Sequence, residues 1–349
     1  MEKAQLNNRV VKFDIARTFA ILCVVLCHAT EDIYSENFVL KNFELMNLFE
    51  KTFVCIIRAF GRLGVPFFLF LTGALVLKRE IDNENGIFSF YKKNFKRLYI
   101  TYLIWVGIYN TFFMFGFRFS FFPVCFNFRD LLMELILLKN VSSPNMWYMP
   151  MILKMYILIP IIAKMVKKIP KKYIEIIEVS VYMILFIISF VIKKNNFLSL
   201  LLYILVGKYV VKRKKLKIDD FEVSLVVLFS FIIISLIPVV GYLNIIGYAN
   251  PFVFICSLGL FILFNRLDDV NYKDCTIKLT NYISKISLAI YFIHTIVIEY
   301  ISRPIKKLSL TLSVKTVILY IVTLLLSILV IFILSKNKYL KKWLLYYKN

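Results

Sequence analysis

Apolar runs of membrane-crossing length alternate with short charged segments along the whole chain. Hydrocarbon offers no water to satisfy backbone N–H and C=O groups, so such runs are read as helices. Their boundaries predict ten spans, at 13–30, 52–77, 98–117, 146–163, 173–192, 197–211, 221–240, 251–264, 286–302 and 314–334. The runs at 197–211 and 251–264 are shorter than the roughly 20 residues a bilayer asks for. In the long connection between the third and fourth spans, Phe128, Leu131, Leu132, Leu135 and Leu138 recur at helical spacing. That spacing predicts an amphipathic helix lying at the interface rather than crossing it. A charged loop is expected to run up to Lys285, just before the ninth span. The expected fold class is all-α, a polytopic membrane helix bundle forming one domain over 1–349.

Composition agrees with this pattern. The 349 residues are 60% hydrophobic and the mean hydropathy is +0.76, well above a soluble domain. A formal charge of +23 raises the question of nucleic acid, but the basic residues fall between apolar runs and not along one polar face, so no nucleic-acid partner is expected. With the first end inside, the inner connections carry more than twice as many Lys and Arg as the outer ones. This positive-inside bias predicts cytoplasmic termini and a multi-pass protein of the cytoplasmic (inner) membrane, with membrane lipid as surroundings. The first run has no small-residue cleavage site after it and is expected to stay as a span. No internal repeat, P-loop, Rossmann fingerprint, HExxH or GxSxG occurs. The six cysteines show no paired spacing, so neither a disulfide framework nor a metal site is expected; only Cys55 and Cys125 are placed where a bridge is conceivable.

The first span, FDIARTFAILCVVLCHAT, carries the candidate chemistry. Arg17 and His28 are eleven residues apart, about three helical turns, so both project from one face with roughly 16 Å between their levels. Ionisable groups at membrane depth are costly and mark a relay, a substrate path or a catalytic centre. Imidazole exchanges a proton near neutrality, which suits a general base, and Glu31 or Asp32 is positioned to orient it. The other histidine, His294, lies in the ninth span, and packing is as good a reading for it as substrate binding. Arg17 with Lys93, Lys96 and Arg97 would form a cationic funnel suited to polyphosphate, although the lysines also satisfy the topology rule alone. Arg58 and Arg62 either hold an anionic or hydroxyl-rich acceptor or pair with Glu31, Asp32 or Glu50. Trp147 and Tyr148 at a span end read as interfacial aromatics.

These segments resemble the acyltransferase-3 family of integral-membrane acyltransferases. DIARTFAILCVVLCH is similar to that family's opening helix, with its arginine and histidine falling on Arg17 and His28. GRLGVPFFLFLTGALV resembles the G-V-P-FF-SG segment, with Thr72 where serine is usual. KRLYITYLIW resembles the arginine-bearing start of span three, MWYMPMILKMYILIP the W-F-P-Y-P signature, and ISLAIYFIHTIVIE the late G-Y-H segment. The resemblance covers Asp14 to about Glu299. It implies an acyl-coenzyme A co-substrate, usually acetyl, and no permanently bound cofactor. It also implies a catalytic histidine at His28, a donor-binding arginine at Arg17, and a second donor motif, Arg-x-x-Arg. Here Arg97 fits the second position, but Asn94 occupies the first, so that Lys93 or Lys96 would have to substitute. Many relatives carry an additional esterase-like domain after the bundle; this chain looks like the stand-alone kind.

Together these readings predict an O-acyltransferase that moves an acyl group from cytoplasmic acyl-CoA to a hydroxyl of an envelope glycan or lipid-linked sugar. His28 would act as base, with substrate-binding roles for Arg58, Arg62, Trp147 and His294. The competing class is a transporter of an anionic or glycosylated solute with His28 as proton relay; a third is a non-catalytic scaffold, in which both histidines would be dispensable.

Overall fold

A computed structural model describes residues 11–34, 43, 46–77, 84–114, 127–139, 144–167, 180–188, 197–212, 218–240, 247–267 and 274–346. Among these residues every regular element is helical. In order they are α1 (Val11–Tyr34), α2 (Leu48–Arg62), α3 (Gly64–Val76), α4 (Glu84–Phe90), α5 (Lys96–Met114), α6 (Phe128–Leu135), α7 (Tyr148–Lys167), α8 (180–188), α9 (Phe197–Lys212), α10 (Asp220–Leu236), α11 (Pro251–Asn265), α12 (Asp274–Lys306) and α13 (Leu312–Ser335). Two π-turns, Tyr91–Phe95 and Leu340–Leu344, precede α5 and follow α13.

Five stretches among the described residues are long and apolar enough to cross a membrane: Val11–Tyr34, Leu48–Val76, Asp220–Val239, Cys275–Lys306 and Leu312–Ser335. Pro251–Asn265 is apolar but shorter. On α13, Leu325, Leu329, Phe332 and Ile333 are exposed, and on α10 so are Phe221, Leu225, Phe229 and Ile232. Large apolar stripes at helical spacing, left open on the outside of a fold, match lipid and not water.

Local chemistry sets several helix starts. Asn47 caps α2 by accepting from the Glu50 amide at 2.8 Å. Asp219 and Glu222 form a capping box at α10, and Asn250 with Pro251 opens α11. Between α2 and α3 the helix breaks at Leu63. Pro66 has no N–H to give the Arg62 carbonyl, so the interruption falls just after that residue, three positions before the proline.

The chain divides into two compact units. The first is drawn from Met1–Cys27, Phe38–Lys78 and Ile177–Ser287, the second from His28–Asn37, Arg79–Ile176 and Leu288–Asn349.

In the first unit, glycines let helix backbones touch. A Cβ on Gly73 would stand 1.8 Å from the Ile204 carbonyl oxygen, and one on Gly207 would stand 2.2 Å from that of Phe70. Thus α3 and α9 cross backbone to backbone, as small residues permit in membrane bundles. Gly61 and Gly64 seat α2 and α3 against α1 in the same way, at Cys27 and at Ala20 and Val24. Aromatic rings fill the remaining space: Phe67 contacts Phe19, Phe261 and Phe264, and Phe70 stacks on Phe261 at 4.9 Å.

In the second unit, α5 is the hub. Tyr99 and Tyr102 donate to the carbonyls of Leu135 and Glu134 at 2.8 Å each, and Tyr109 donates to that of Phe292 at 2.8 Å. Trp105 stacks on Phe292 with centroids 5.1 Å apart.

Two expectations need correction. The charged segment before Lys285 is not a loop: α12 is helical from Asp274, and its first turns are held by hydrogen bonds, Thr18 Oγ1 to the Thr280 carbonyl at 3.0 Å and Arg17 to Ser284 at 2.9 Å. Hydropathy does not register a helix stabilised by polar partners. The amphipathic segment at 128–138 does more than lie at an interface. Its helix stops at Leu135, and Glu134 is wholly buried, accepting from Asn110 Nδ2 at 3.0 Å. Of the span expected at 173–192, residues 180–188 are helical; the rest lies outside the described residues, as do Cys125 and the end of the span expected at 98–117. Cys55 is a buried free thiol.

Candidate active site

The second unit brings together both histidines of the chain. His28, on the last turns of α1, stacks on His294 of α12 with centroids 5.3 Å apart and planes inclined by 28°. Their hydrogen bonds assign the tautomers. His28 Nδ1 lies 3.0 Å from Glu31 Oε2. A carboxylate only accepts, so the proton is on Nδ1 and the lone pair on Nε2. His294 Nδ1 lies 3.0 Å from the Ile290 carbonyl oxygen, which fixes the same tautomer.

The two rings differ in what remains open. His294 is 0% exposed, and its Nε2 accepts a long hydrogen bond, 3.4 Å, from Thr295 Oγ1. Asn145 Nδ2 in turn donates to Thr295 Oγ1 at 3.4 Å. Both nitrogens of His294 are therefore engaged inside the protein. His28 Nε2, on a side chain 14% exposed, takes no hydrogen bond from a described residue. The arrangement leaves one basic nitrogen available, with its ring oriented by a carboxylate and backed by a second imidazole.

Helical spacing explains the convergence. Glu31 stands one turn beyond His28, at i+3. Asp32 stands at i+4, but its carboxylate pairs with Lys306 Nζ at 2.8 Å, so of the two carboxylates considered for His28, Glu31 is the one in contact. The lysine comes from the polar end of α12, where Arg303 also pairs with Glu299 at 2.7 Å.

An aromatic series extends from the histidines. The Tyr291 ring is 5.9 Å from His294, Tyr148 is 5.9 Å from Tyr291, and Trp147 is 6.3 Å from Tyr148. The Tyr291 hydroxyl donates to the Asn145 carbonyl at 2.7 Å. Trp147 is thus tied by rings to the histidine pair. The pattern had marked Trp147 but not Tyr291, whose only signal is its place one helical turn before His294.

Arg17 lies in the first unit. Its guanidinium donates to Ser284 Oγ at 2.9 Å and is 3.5 Å from Asp14 Oδ1, while Ser284 Oγ donates to Asp14 Oδ1 at 2.6 Å. The three form a compact ion-pair cluster in which the Arg17 side chain stays 28% exposed. Ser284 was hidden by the expected loop. Arg58 and Arg62, in the same unit, are half-buried on α2, and the Arg62 guanidinium lies over the Tyr248 ring at 5.5 Å. In the second unit Lys93, in the Tyr91–Phe95 turn, and Lys96, at the start of α5, are exposed. Arg97 beside them donates to the Lys342 carbonyl at 3.3 Å. Asn94, at the position where the resembled motif has arginine, is buried and caps its own turn by donating to the Phe90 carbonyl at 3.2 Å.

A family model described as an acyltransferase domain matches residues 10–336, nearly the whole chain. No curated protein and no solved structure matches.

Proposed function

The chain belongs to the acyltransferase-3 family, and from that premise we propose that it moves an acyl group, acetyl by default, from cytoplasmic acyl-CoA to a hydroxyl of a cell-envelope glycan or lipid-linked sugar. Family and apolar helices together make it a multi-pass membrane acyltransferase; the donor, the acceptor, the inner membrane and the residue roles that follow belong to the proposal.

The observation that carries it is the oriented His28, with Nδ1 held by Glu31 and Nε2 without a hydrogen bond among the described residues. In the reaction, His28 Nε2 takes the proton of the acceptor hydroxyl as that oxygen attacks the thioester carbonyl. The new C–O bond forms, the C–S bond breaks, and the imidazolium returns its proton to the departing thiolate, giving an ester and free coenzyme A. Glu31 stabilises the imidazolium while it lasts. His294 supports the ring by stacking on it, and Trp147, tied to the pair through Tyr148 and Tyr291, contacts the acceptor; Arg58 and Arg62 of the first unit keep the acceptor-binding role expected of them. Arg17, eleven residues before His28 in the sequence, is the donor-binding arginine that the family resemblance implies, and the donor phosphates are also assigned to Arg97, Lys93 and Lys96.

Glu31→Gln tests the dyad. Glutamine keeps an acceptor oxygen for Nδ1–H but no negative charge. A charge-assisted hydrogen bond of this kind is worth about 1.5–3 kcal/mol, so turnover is expected to fall about ten- to a hundredfold with the KM for donor unchanged. Turnover equal to that of the parent protein would overturn the role of Glu31. Asp32→Asn, which disturbs an ion pair with Lys306 and not the base, is expected to retain turnover within about threefold.

A further inference from the structure

The segment after α13 does not trail away from the fold but is seated on α5. Arg97 Nη2 donates to the Lys342 carbonyl at 3.3 Å, Thr101 Oγ1 to that of Trp343 at 2.8 Å, and Trp105 Nε1 to that of Leu344 at 3.0 Å. The donors stand at i, i+4 and i+8 on one face of α5, and the acceptors are three consecutive carbonyls at the end of the Leu340–Leu344 turn. Terminal carbonyls of a helical turn have no partner within it, so these side chains supply what the turn lacks. Leu344 and Leu345 are buried, and the Tyr346 ring lies under the Arg97 guanidinium at 4.6 Å. Trp105, which holds Leu344, stacks on Phe292, two residues before His294.

This seat gathers charge of one sign. Lys341 and Lys342 belong to the seated turn, and Lys92, Lys93, Lys96 and Arg97 to the start of α5 and the turn before it. Neither 91–101 nor 336–346 contains an acidic residue. The two acidic groups of α6 are committed elsewhere, Asp130 to Lys139 at 2.6 Å and the buried Glu134 to Asn110 at 3.0 Å. Lys342 is exposed, with its ammonium over the Trp343 ring at 4.8 Å. Several flexible ammonium groups around one guanidinium fixed by a carbonyl and a ring suit a ligand bearing several phosphate charges.

We propose that the seated C-terminal segment completes a polyphosphate-binding patch, in which Lys341 and Lys342 join Arg97, Lys93 and Lys96. The inference rests on the donor reading above and adds to it a chain segment well removed in sequence from every other candidate residue. The phosphates are those of the acyl-CoA donor; the headgroup of an anionic lipid offers the same chemistry, and the experiment separates the two.

The test uses the full chain in nanodiscs of phosphatidylcholine, with coenzyme A as the probe for direct binding. The double variant Lys341→Gln, Lys342→Gln is expected to bind coenzyme A about tenfold more weakly, the sum of two solvent-accessible charge contacts, one half-buried and one exposed. Its KM for acyl-CoA rises by a similar factor, whereas a phosphate-free acyl-pantetheine thioester is used equally by both proteins. Trp105→Phe keeps the ring on Phe292, removes no charge and releases Leu344; it is expected to weaken coenzyme A binding in the same sense. Unchanged binding in both variants overturns the proposal for the donor. If the double variant instead loses phosphatidylglycerol retained through purification and measured by native mass spectrometry, the patch is a phosphate site whose ligand is lipid. If it loses neither ligand, no such site exists. A parent protein that binds coenzyme A but transfers no acyl group would refute the enzymatic reading and leave the patch standing.

Discussion

On the proposed mechanism, replacing His28 by alanine is expected to abolish acylation of the envelope while the protein remains folded in the membrane. The expected loss is about 10²- to 10⁴-fold, the usual contribution of a positioned general base. It falls on one residue because, among the described residues, His28 Nε2 takes no hydrogen bond, whereas the other imidazole of the pair, His294, has both nitrogens bonded within the protein. The structural consequence is small. Among the described residues His28 makes one side-chain hydrogen bond, to Glu31, and one ring contact, to His294, and losing an aromatic pair costs about 0.5–1.5 kcal/mol. Mass spectrometry of envelope glycans from cells lacking other acyltransferases of this kind, with membrane levels followed in parallel, measures both halves. Retained acylation in the alanine variant would remove His28 from the mechanism.

Gly73→Val is expected to have the largest effect on the fold. The valine Cβ would begin 1.8 Å from the Ile204 carbonyl oxygen, with the carbonyl carbon at 2.8 Å. Both obstacles are backbone, so no rotamer change relieves them, and α3 and α9 would have to separate. The reciprocal glycine faces the same limit, since a Cβ on Gly207 meets the Phe70 carbonyl oxygen at 2.2 Å. A forced separation along a backbone contact belongs with the severe class of substitutions, above about 4 kcal/mol. Loss of the monodisperse species on size exclusion in detergent is the expected reading. Gly107→Ala is the control: nothing lies within 4 Å of its Cβ position, and it should gain roughly 1 kcal/mol of helix propensity. A Gly73→Val protein as stable as the parent would mean that α3 and α9 are not in contact.

The helical class, the five long apolar stretches and the His28–Glu31 contact were legible because each depends on near neighbours in the chain. Apolar runs report burial in lipid, and His28 with Glu31 is a single-turn relation visible in one span. What stayed hidden depends on partners far along the chain. That His294 stacks on His28 was not legible, since the two rings lie 266 residues apart in the chain. Asp32 and Glu31 were interchangeable by position, and the choice between them was made by Lys306. The first turns of α12 read as loop because their stabilising groups, Arg17 and Thr18, belong to α1. Arg97 was legible as a cation but not as the anchor of the C-terminal segment, for the carbonyls it serves carry no trace in residue identity.

On the proposed reading, this bundle performs group transfer and does not carry a solute. The most direct measurement supplies acetyl-labelled coenzyme A to proteoliposomes holding the purified chain and an envelope glycan fraction. Label is predicted to appear as an alkali-labile ester on the glycan with the parent protein and to be absent with His28→Ala. Uptake of glycan or donor without any labelled ester, unchanged by the loss of His28, would contradict it.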